Sequence, residues 1–343
     1  MDSPRRLNLH QNLDLTLTLA VERWPIAGSF AISRGAKTEA VVVVAELADG
    51  KVRGRGECVP YARYGENVES VTMAIEAIRP QLAQGLTRLG LQTAMRPGAA
   101  RNALDCAFWD LEAKRSSRPV HEIAGLPAPH ALTTAFTISL GTPAEMATAA
   151  EKSASRALLK IKLGGNDAHG GDPARIVAVR TAAPKAALIV DANEGWNEDN
   201  LAANLAACAQ AGVVLVEQPL PEGRDQVLAR IQRPIPVCAD ESVHDRGSLV
   251  GLAGKYDAVN IKLDKAGGLT EALAMVQDAS QAGFVIMAGC MVATSLAMAP
   301  ALLLAQTARF VDLDGPLLLA KDRPDGLRYA GSLVYPALPA LWG

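Results

Sequence analysis

The chain has 343 residues, 49% of them hydrophobic but only 4% aromatic, enough Ala, Leu and Val to build about two domains. Its formal net charge is −2, with 34 Lys and Arg interspersed among 36 Asp and Glu, which argues against a surface built for nucleic acid or for an anionic membrane. Five cysteines (Cys58, Cys106, Cys208, Cys238 and Cys290) are odd in number, far apart and without a CxxC pair, so they read as free thiols in a reducing compartment, and the cytoplasm is expected. The N-terminal MDSPRRLNLHQNLDLTL lacks the long apolar stretch of a secretory signal. MVATSLAMAPALLLA, interrupted by Thr294, Ser295 and Pro300, is too short for a membrane span.

LDLTLTLAV and AVVVVAEL alternate or run apolar and β-branched, punctuated by Gly54, Gly56 and Gly65, and predict an antiparallel meander. Helices follow from about residue 68 to 115, with AARNALDCAFWDLEAK amphipathic and Phe108 and Trp109 in its core. Strands followed by helices define an α+β domain, residues 1–128. From about 131 a regular rhythm begins, with β-type runs at TTAFTIS, LLKIKL, ALIVDA, VVLVEQ, IPVCAD, AVNIKL, FVIMAG and FVDL. Most are separated by helical stretches, one opened by Asp172-Pro173 as N-cap and first helical residue, another closed by Gly212. Eight strands alternating with helices predict a parallel barrel over residues 129–320. Residues 321–343 lack that rhythm and are expected to return to the first domain.

Three consecutive strands close on a carboxylate: Asp191, Glu217 and Asp240, spaced 26 and 23 residues apart, about one strand-plus-helix unit each. Barrel active sites lie at the carboxyl ends of the strands, so these groups converge into a hard-cation site, and an oxygen-only donor set favours Mg²⁺. Lys160 and Lys162 end strand two, and at period two their side chains share a face. Lys262 ends strand six, opposite strand two across the barrel. Two lysines flanking a carboxylate bound at strands three to five suit proton transfer at the α-carbon through an enediolate, with the cation offsetting the developing charge. Lys160 beside Lys162 favours a neutral amine on the base.

KIKLGG, DANEGW, EQPLP, ADES and NIKLDKAGG, in this order and spacing, resemble the muconate-lactonising-enzyme branch of the enolase superfamily over nearly the whole chain. The resemblance implies a (β/α)₇β barrel, TIM-like, with an α+β capping domain formed by the N-terminal segment and the C-terminal tail, and one Mg²⁺ per subunit. It matches Asp191, Glu217 and Asp240 to the metal ligands, Lys162 and Lys262 to the acid/base pair and Lys160 to its helper. Asn193 and Glu241 match positions that support the ligands. Asp312-Leu313-Asp314 resembles the DxD of the dipeptide epimerases, which binds a free ammonium, and FAISRGAKTEA resembles their first capping loop. Arg34 is then the candidate partner of a glutamyl carboxylate, with Arg63 a weaker one. Asp264 is grouped with the substrate-binding residues, either orienting Lys262 or standing as a plain strand-end acid. Cys290 replaces a commoner glycine at the end of strand seven. The implied activity is epimerisation of a dipeptide such as L-Ala-D/L-Glu at the α-carbon of its C-terminal residue, in murein-peptide degradation.

Each residue has an ordinary alternative. A lone strand-end carboxylate caps the next helix, a lone lysine is solvated, Asp-Leu-Asp-Gly-Pro is good turn chemistry, and Arg34 in Ser-Arg-Gly suits a surface turn. The five histidines show no metal-ligand spacing. The competing activities are o-succinylbenzoate synthase, N-succinylamino-acid racemase or cycloisomerase. Those substrates lack the free ammonium that a DxD binds. A Schiff-base aldolase leaves the carboxylates unexplained, and a catalytically dead relative leaves the lysines unexplained. A dipeptide is the expected partner, and the Ala/Leu-rich barrel exterior permits a homo-oligomer.

Overall fold

The computed structural model describes residues 15–165 and 170–343. The stretch read as lacking a secretory signal, His10 and His169 fall largely or wholly outside them. Strands β1 (Thr16–Ile32), β2 (Gly35–Asp49) and β3 (Val52–Cys58) form the antiparallel meander. The Ser-Arg-Gly turn expected in the first loop is the tip of a tight hairpin: Ile32 pairs with Gly35, leaving Ser33 and Arg34 as its two-residue turn. The outer ribbon is largely solvent-exposed, so burial imposes no alternation there to reveal it.

Helices α1 (Val68–Ala77), α2 (Arg79–Ala83), α3 (Arg88–Ala94), α4 (Ala99–Ser116) and α5 (Val120–Ile123) follow. Alternate residues of β2 serve two cores: Val43, Ala45 and Leu47 pack on the capping helices, while Val42 and Val44 join the barrel side. α4 lies so close to β3 that a Cβ on Gly56 would sit 2.1 Å from the carbonyl oxygen of Ala103. Both faces of α4 are used: Phe108 enters the capping core, whereas Trp109 Nε1 donates to Thr270 Oγ1 at 3.0 Å on the barrel side.

The barrel segment runs β4 (Leu132–Thr133), β5 (Phe136–Ile138), α6 (Pro143–Lys152), β6 (Leu158–Lys162), α7 (Gly171–Ala182), β7 (Ala187–Asp191), α8 (Glu198–Gln210), β8 (Val213–Glu217), β9 (Val237–Ala239), β10 (Ala258–Ile261), α9 (Leu263–Ala266), α10 (Leu269–Gln281), β11 (Val285–Gly289), α11 (Ser295–Ala305), β12 (Phe310–Asp312), α12 (Gly315–Leu318), β13 (Tyr329–Ala330) and β14 (Leu333–Val334). β5 to β12 form one eight-stranded sheet in sequence order, and the amide of Ala135 donates to the carbonyl of Val311 at 2.8 Å, drawing the two edges together. Inside, Leu158, Ile189, Leu215, Cys238, Ala258 and Met287 form an apolar floor. Two residues further along each strand the same face carries Lys160, Asp191, Glu217, Asp240 and Asn260, because side chains repeat with period two.

Three expectations are corrected. TTAFTIS splits: Leu132–Thr133 pairs with β14 in a small antiparallel sheet, and only Phe136–Ile138 enters the barrel. The connections after β8 and β9 contain short 3₁₀ turns at Gln226–Ala229 and Arg246–Leu252 rather than α-helices. Prolines 219, 221, 234 and 236 and glycines 247, 251 and 254 explain this, since both residue types oppose helix propagation. Asp172 does not cap α7, which Gly170 precedes. Its carboxylate accepts from the Gly164 amide and Trp196 Nε1, both at 2.7 Å. The apolar run near residue 300 is α11, buried along its length, and no described helix is long and apolar enough to cross a membrane. At the chain end Trp342 Nε1 donates to the Cys106 carbonyl at 3.0 Å and the Gly343 amide to Asp110 Oδ1 at 2.8 Å, tying the tail to α4.

Candidate active site

A cavity of about 750 Å³ lies between the carboxyl ends of the strands and the capping segment. It is lined by Lys160, Lys162, Asn193, Asp240, Glu241, Lys262, Cys290, Asp312, Asp314 and Arg34, together with apolar Ile26, Phe30, Val292 and Leu318. Asp191 and Glu217 lie directly behind this lining, and one oxygen from each of Asp191, Glu217 and Asp240 falls within 4.8 Å of the others. All three are at most 1% exposed. Three buried carboxylates converging on one point repel each other unless cations intervene, and an all-oxygen, hard donor set of this kind fits Mg²⁺.

Three lysines supply positive charge. Lys160 Nζ lies 2.7 Å from Glu217 Oε2, 2.8 Å from Asp312 Oδ2 and 3.2 Å from Asp191 Oδ2. Lys162 donates to Asp191 Oδ2 and Lys262 to Asp240 Oδ2, each at 2.6 Å. Burial pulls Lys160 and Lys262 down, but the surrounding carboxylates overcome it and hold both well above the usual lysine range. Burial also raises Asp191 and Asp240, and there the lysines win, keeping both carboxyls below their ordinary values. Glu217 is pushed up to about 7 by burial and by Asp191. Lys160 is thus a fixed cation among three carboxylates as well as a neighbour of Lys162.

The outer oxygen of each carboxylate is also held. Asp191 Oδ1 accepts from the Asn193 amide at 2.9 Å, Glu217 Oε1 from Asn260 Nδ2 at 2.8 Å, and Asp240 Oδ1 from Lys265 Nζ at 2.5 Å. Gln218, fully buried at φ 33°, accepts the Asp240 and Ser242 amides on Oε1 at 2.9 and 3.1 Å. Asn260, Lys265 and Gln218 were missed in the sequence. Asn260 had a signal, lying two residues before Lys262 and so on the same strand face.

On the opposite side, Asp314 Oδ2 accepts from the Thr137 amide at 2.6 Å, and burial beside Asp312 pushes its carboxyl up to about 7. Among the described residues, Asp312 Oδ1 is buried without a partner. Arg34, at the hairpin tip, donates to Glu241 Oε1 at 2.7 Å, the Asn193 carbonyl at 2.9 Å and Tyr61 Oη at 3.2 Å. Asn193 Nδ2 reaches the same Glu241 oxygen at 3.3 Å. Arg63 lies on the cavity wall with its guanidinium engaged by Glu194, at 2.7 Å through two nitrogens, and by Glu222. Asp264 does not line this cavity. Its Oδ1 accepts from the Val59 amide at 3.0 Å and Asn102 Nδ2 at 2.9 Å, so it joins α9 to the cap. Four cysteines are buried, and Cys290 is half-buried on the cavity wall.

A parallel barrel capped by an α+β segment, with carboxylates on successive strand ends between two lysine-bearing strands, defines an enolase-type fold and site. Residues 144–320 match the enolase C-terminal domain-like family model and residues 14–125 the mandelate racemase / muconate lactonizing enzyme N-terminal domain. The chain belongs to the mandelate racemase / muconate lactonizing enzyme family of the enolase superfamily. It is 48% identical to the L-Ala-D/L-Glu epimerase of Escherichia coli (strain K12) over 316 residues, 92% of this chain and 97% of that protein. It is 46% identical over 304 residues to the N-acetyl-D-glutamate racemase of a Pseudoalteromonas species, covering 88% of this chain and 95% of that one. Among solved structures it is similar to an enolase family member from Agrobacterium tumefaciens with homology to dipeptide epimerases, with bound sodium, L-Ala-L-Glu and an ordered loop. That protein is 56% identical with a TM-score of 0.93, covering 96% of this chain and 100% of that chain.

Proposed function

We propose that the protein is a Mg²⁺-dependent dipeptide epimerase that inverts the α-carbon of the C-terminal residue, with L-Ala-D/L-Glu as its leading substrate. The observation that supports this most is the placing of Lys162 and Lys262, from strands two and six, around one carboxylate cluster in one cavity. The family membership and the likeness to the Escherichia coli epimerase point the same way. In this reading Asp191, Glu217 and Asp240 hold the cation, which supplies Lewis-acid stabilisation of the substrate carboxylate. Lys162 and Lys262 face opposite sides of the α-carbon: one removes the proton and the other returns one from the far side, so either enantiomer can be substrate. Lys160 keeps its charge among Asp191, Glu217 and Asp312 and balances the negative charge that develops. The unpartnered Asp312 Oδ1, with Asp314 beside it, accepts the substrate's free ammonium. Arg34 exchanges part of its contact with Glu241 for a glutamyl side-chain carboxylate, and Asn193 and Glu241 hold the ligand shell in place.

The second reading is a racemase of N-acylated amino acids, which the 46% identity to an N-acetyl-D-glutamate racemase favours. An acylated nitrogen is uncharged and offers no substrate cation to Asp312 Oδ1 and Asp314, so the dipeptide reading is preferred. The role in murein-peptide degradation follows from the dipeptide, and a cytoplasmic location is supported by five unpaired cysteines. Incubation with Mg²⁺ and either L-Ala-L-Glu or N-acetyl-L-glutamate decides between the two. Formation of L-Ala-D-Glu at the higher kcat/KM supports the epimerase, and the reverse order overturns it.

A further inference from the structure

Each of the three converging carboxylates is held in the same way. One oxygen points toward a lysine of the cavity: Asp191 Oδ2 to Lys162, Glu217 Oε2 to Lys160 and Asp240 Oδ2 to Lys262. The other is tied from outside by a different donor: the Asn193 main-chain amide, the Asn260 side-chain amide and the Lys265 ammonium, respectively. Lys265 is the firmest of these donors. It is 4% exposed, and its Nζ also reaches the Asp240 carbonyl at 2.5 Å and the Asn260 carbonyl at 3.0 Å. Asn260 is enclosed as well, since a Cβ on Gly289 would fall 2.4 Å from its Oδ1.

We propose that Lys265 and Asn260 set the cation preference of the site by leaving Asp240 and Glu217 one available oxygen each. The proposal rests on the reading of Asp191, Glu217 and Asp240 as cation ligands. Mg²⁺ takes six oxygens in near-ideal octahedral geometry and keeps several waters, so three single-oxygen ligands suit it. Ca²⁺ takes six to eight oxygens at longer distance and readily uses both oxygens of a carboxylate. A donor fixed to the outer oxygen denies it that mode. Any charge that Lys265 carries acts on both divalent ions alike, so its loss shifts the two affinities together. That effect is nearly the same for the two ions and cancels in the ratio of their affinities, so the ratio reports the geometric role alone.

The test is isothermal titration of the metal-stripped full-length protein with MgCl₂ and with CaCl₂, on wild type, Lys265→Met and Asn260→Ala, with circular dichroism as the check on folding. Wild type is expected to prefer Mg²⁺. A freed second oxygen on Asp240 favours Ca²⁺ over Mg²⁺, so the Mg²⁺-to-Ca²⁺ ratio is expected to fall by about tenfold in Lys265→Met. It should fall in the same direction in Asn260→Ala. If Lys265→Met does not fold, Asn260→Ala decides alone. A ratio unchanged within about twofold, in variants that still bind Mg²⁺, overturns the proposal and leaves the cation site standing. A wild-type preference for Ca²⁺ overturns it as well. A wild type that binds neither ion removes the cation-site reading, and the proposal with it.

Discussion

Replacing Lys160 by Met should expose how the site is balanced. Lys160 is 1% exposed and sits within 3.2 Å of three carboxylates that are themselves almost wholly buried. Removing one partner of a buried ion pair costs about 3–5 kcal/mol, because the remaining charge stays desolvated. Glu217 and Asp312 lose their ammonium here while Asp191 keeps Lys162, and the carboxylates can take up protons to relieve the loss, so a net cost of about 4 kcal/mol is expected. An unfolding entropy of about 2.1 cal/mol/K per residue converts this to a fall in Tm of about 5 °C for a chain of this length. Mg²⁺ at about a hundred times its Kd stabilises the folded state by about 2.7 kcal/mol and neutralises two of these carboxylates, Asp191 and Glu217. Thermal unfolding followed by circular dichroism, in EDTA and then in saturating Mg²⁺, tests this. The gap between wild type and Lys160→Met should be widest in EDTA and shrink by half or more with Mg²⁺. An equal gap in both buffers would refute the picture of one ammonium and one cation stabilising Asp191 and Glu217 together.

Arg34→Ala should lower kcat/KM for L-Ala-L-Glu by about 2 kcal/mol, roughly 30-fold, and barely change it for a dipeptide ending in an apolar residue; equal losses on both would remove the side-chain role. Asp312→Asn should raise KM for the dipeptide about tenfold or more while changing an N-acetylated substrate far less, since the loss of the Lys160 pair is common to both substrates and only a free ammonium adds a second use of the charge. Asp105 is buried, and its carboxyl is raised to about 6 by burial, against the hydrogen bonds from Thr270 and Gln92. The unfolded chain ionises first as pH rises, so this group's contribution to stability falls between the unfolded and folded pKa values. Urea melts of wild type and Asp105→Asn should therefore diverge, wild type losing about 1.4 kcal/mol relative to the variant between about pH 5 and about pH 7.5. A pH-independent difference would show that Asp105 titrates normally.

The catalytic ends of the barrel strands were legible because two constraints coincide there. A buried strand is an apolar run, and a carboxylate or lysine at its end breaks that run visibly, as in LIVDAN, VVLVEQ and LLKIKL. Period two then places Lys160 with Lys162, and Asn260 with Lys262, on one face. What sequence did not reveal depends on contacts across long separations. Asp264 has the same strand-end position as the site residues, but its carboxylate is claimed by Val59 and Asn102 of the cap. Arg34 was legible as a turn residue, but its contacts to Asn193 and Glu241 of the barrel were not. Lys265 looks like one more solvated lysine until the fold brings Asp240 against it. The 3₁₀ turns after β8 and β9 were hidden for a different reason: alternation of strands and helices set an expectation that local proline and glycine content overrode.

The central claim is that two lysines act from opposite sides of one α-carbon, and deuterium exchange in single-lysine variants tests it most directly. Lys162→Ala and Lys262→Ala are each incubated in D₂O with Mg²⁺ and either L-Ala-L-Glu or L-Ala-D-Glu, and the glutamyl α-proton is followed by NMR. Each variant should lose epimerisation, yet one should still exchange the α-proton of the L epimer and the other that of the D epimer. If both variants exchange the same epimer, or if either still epimerises at a rate close to wild type, the two-sided arrangement is wrong.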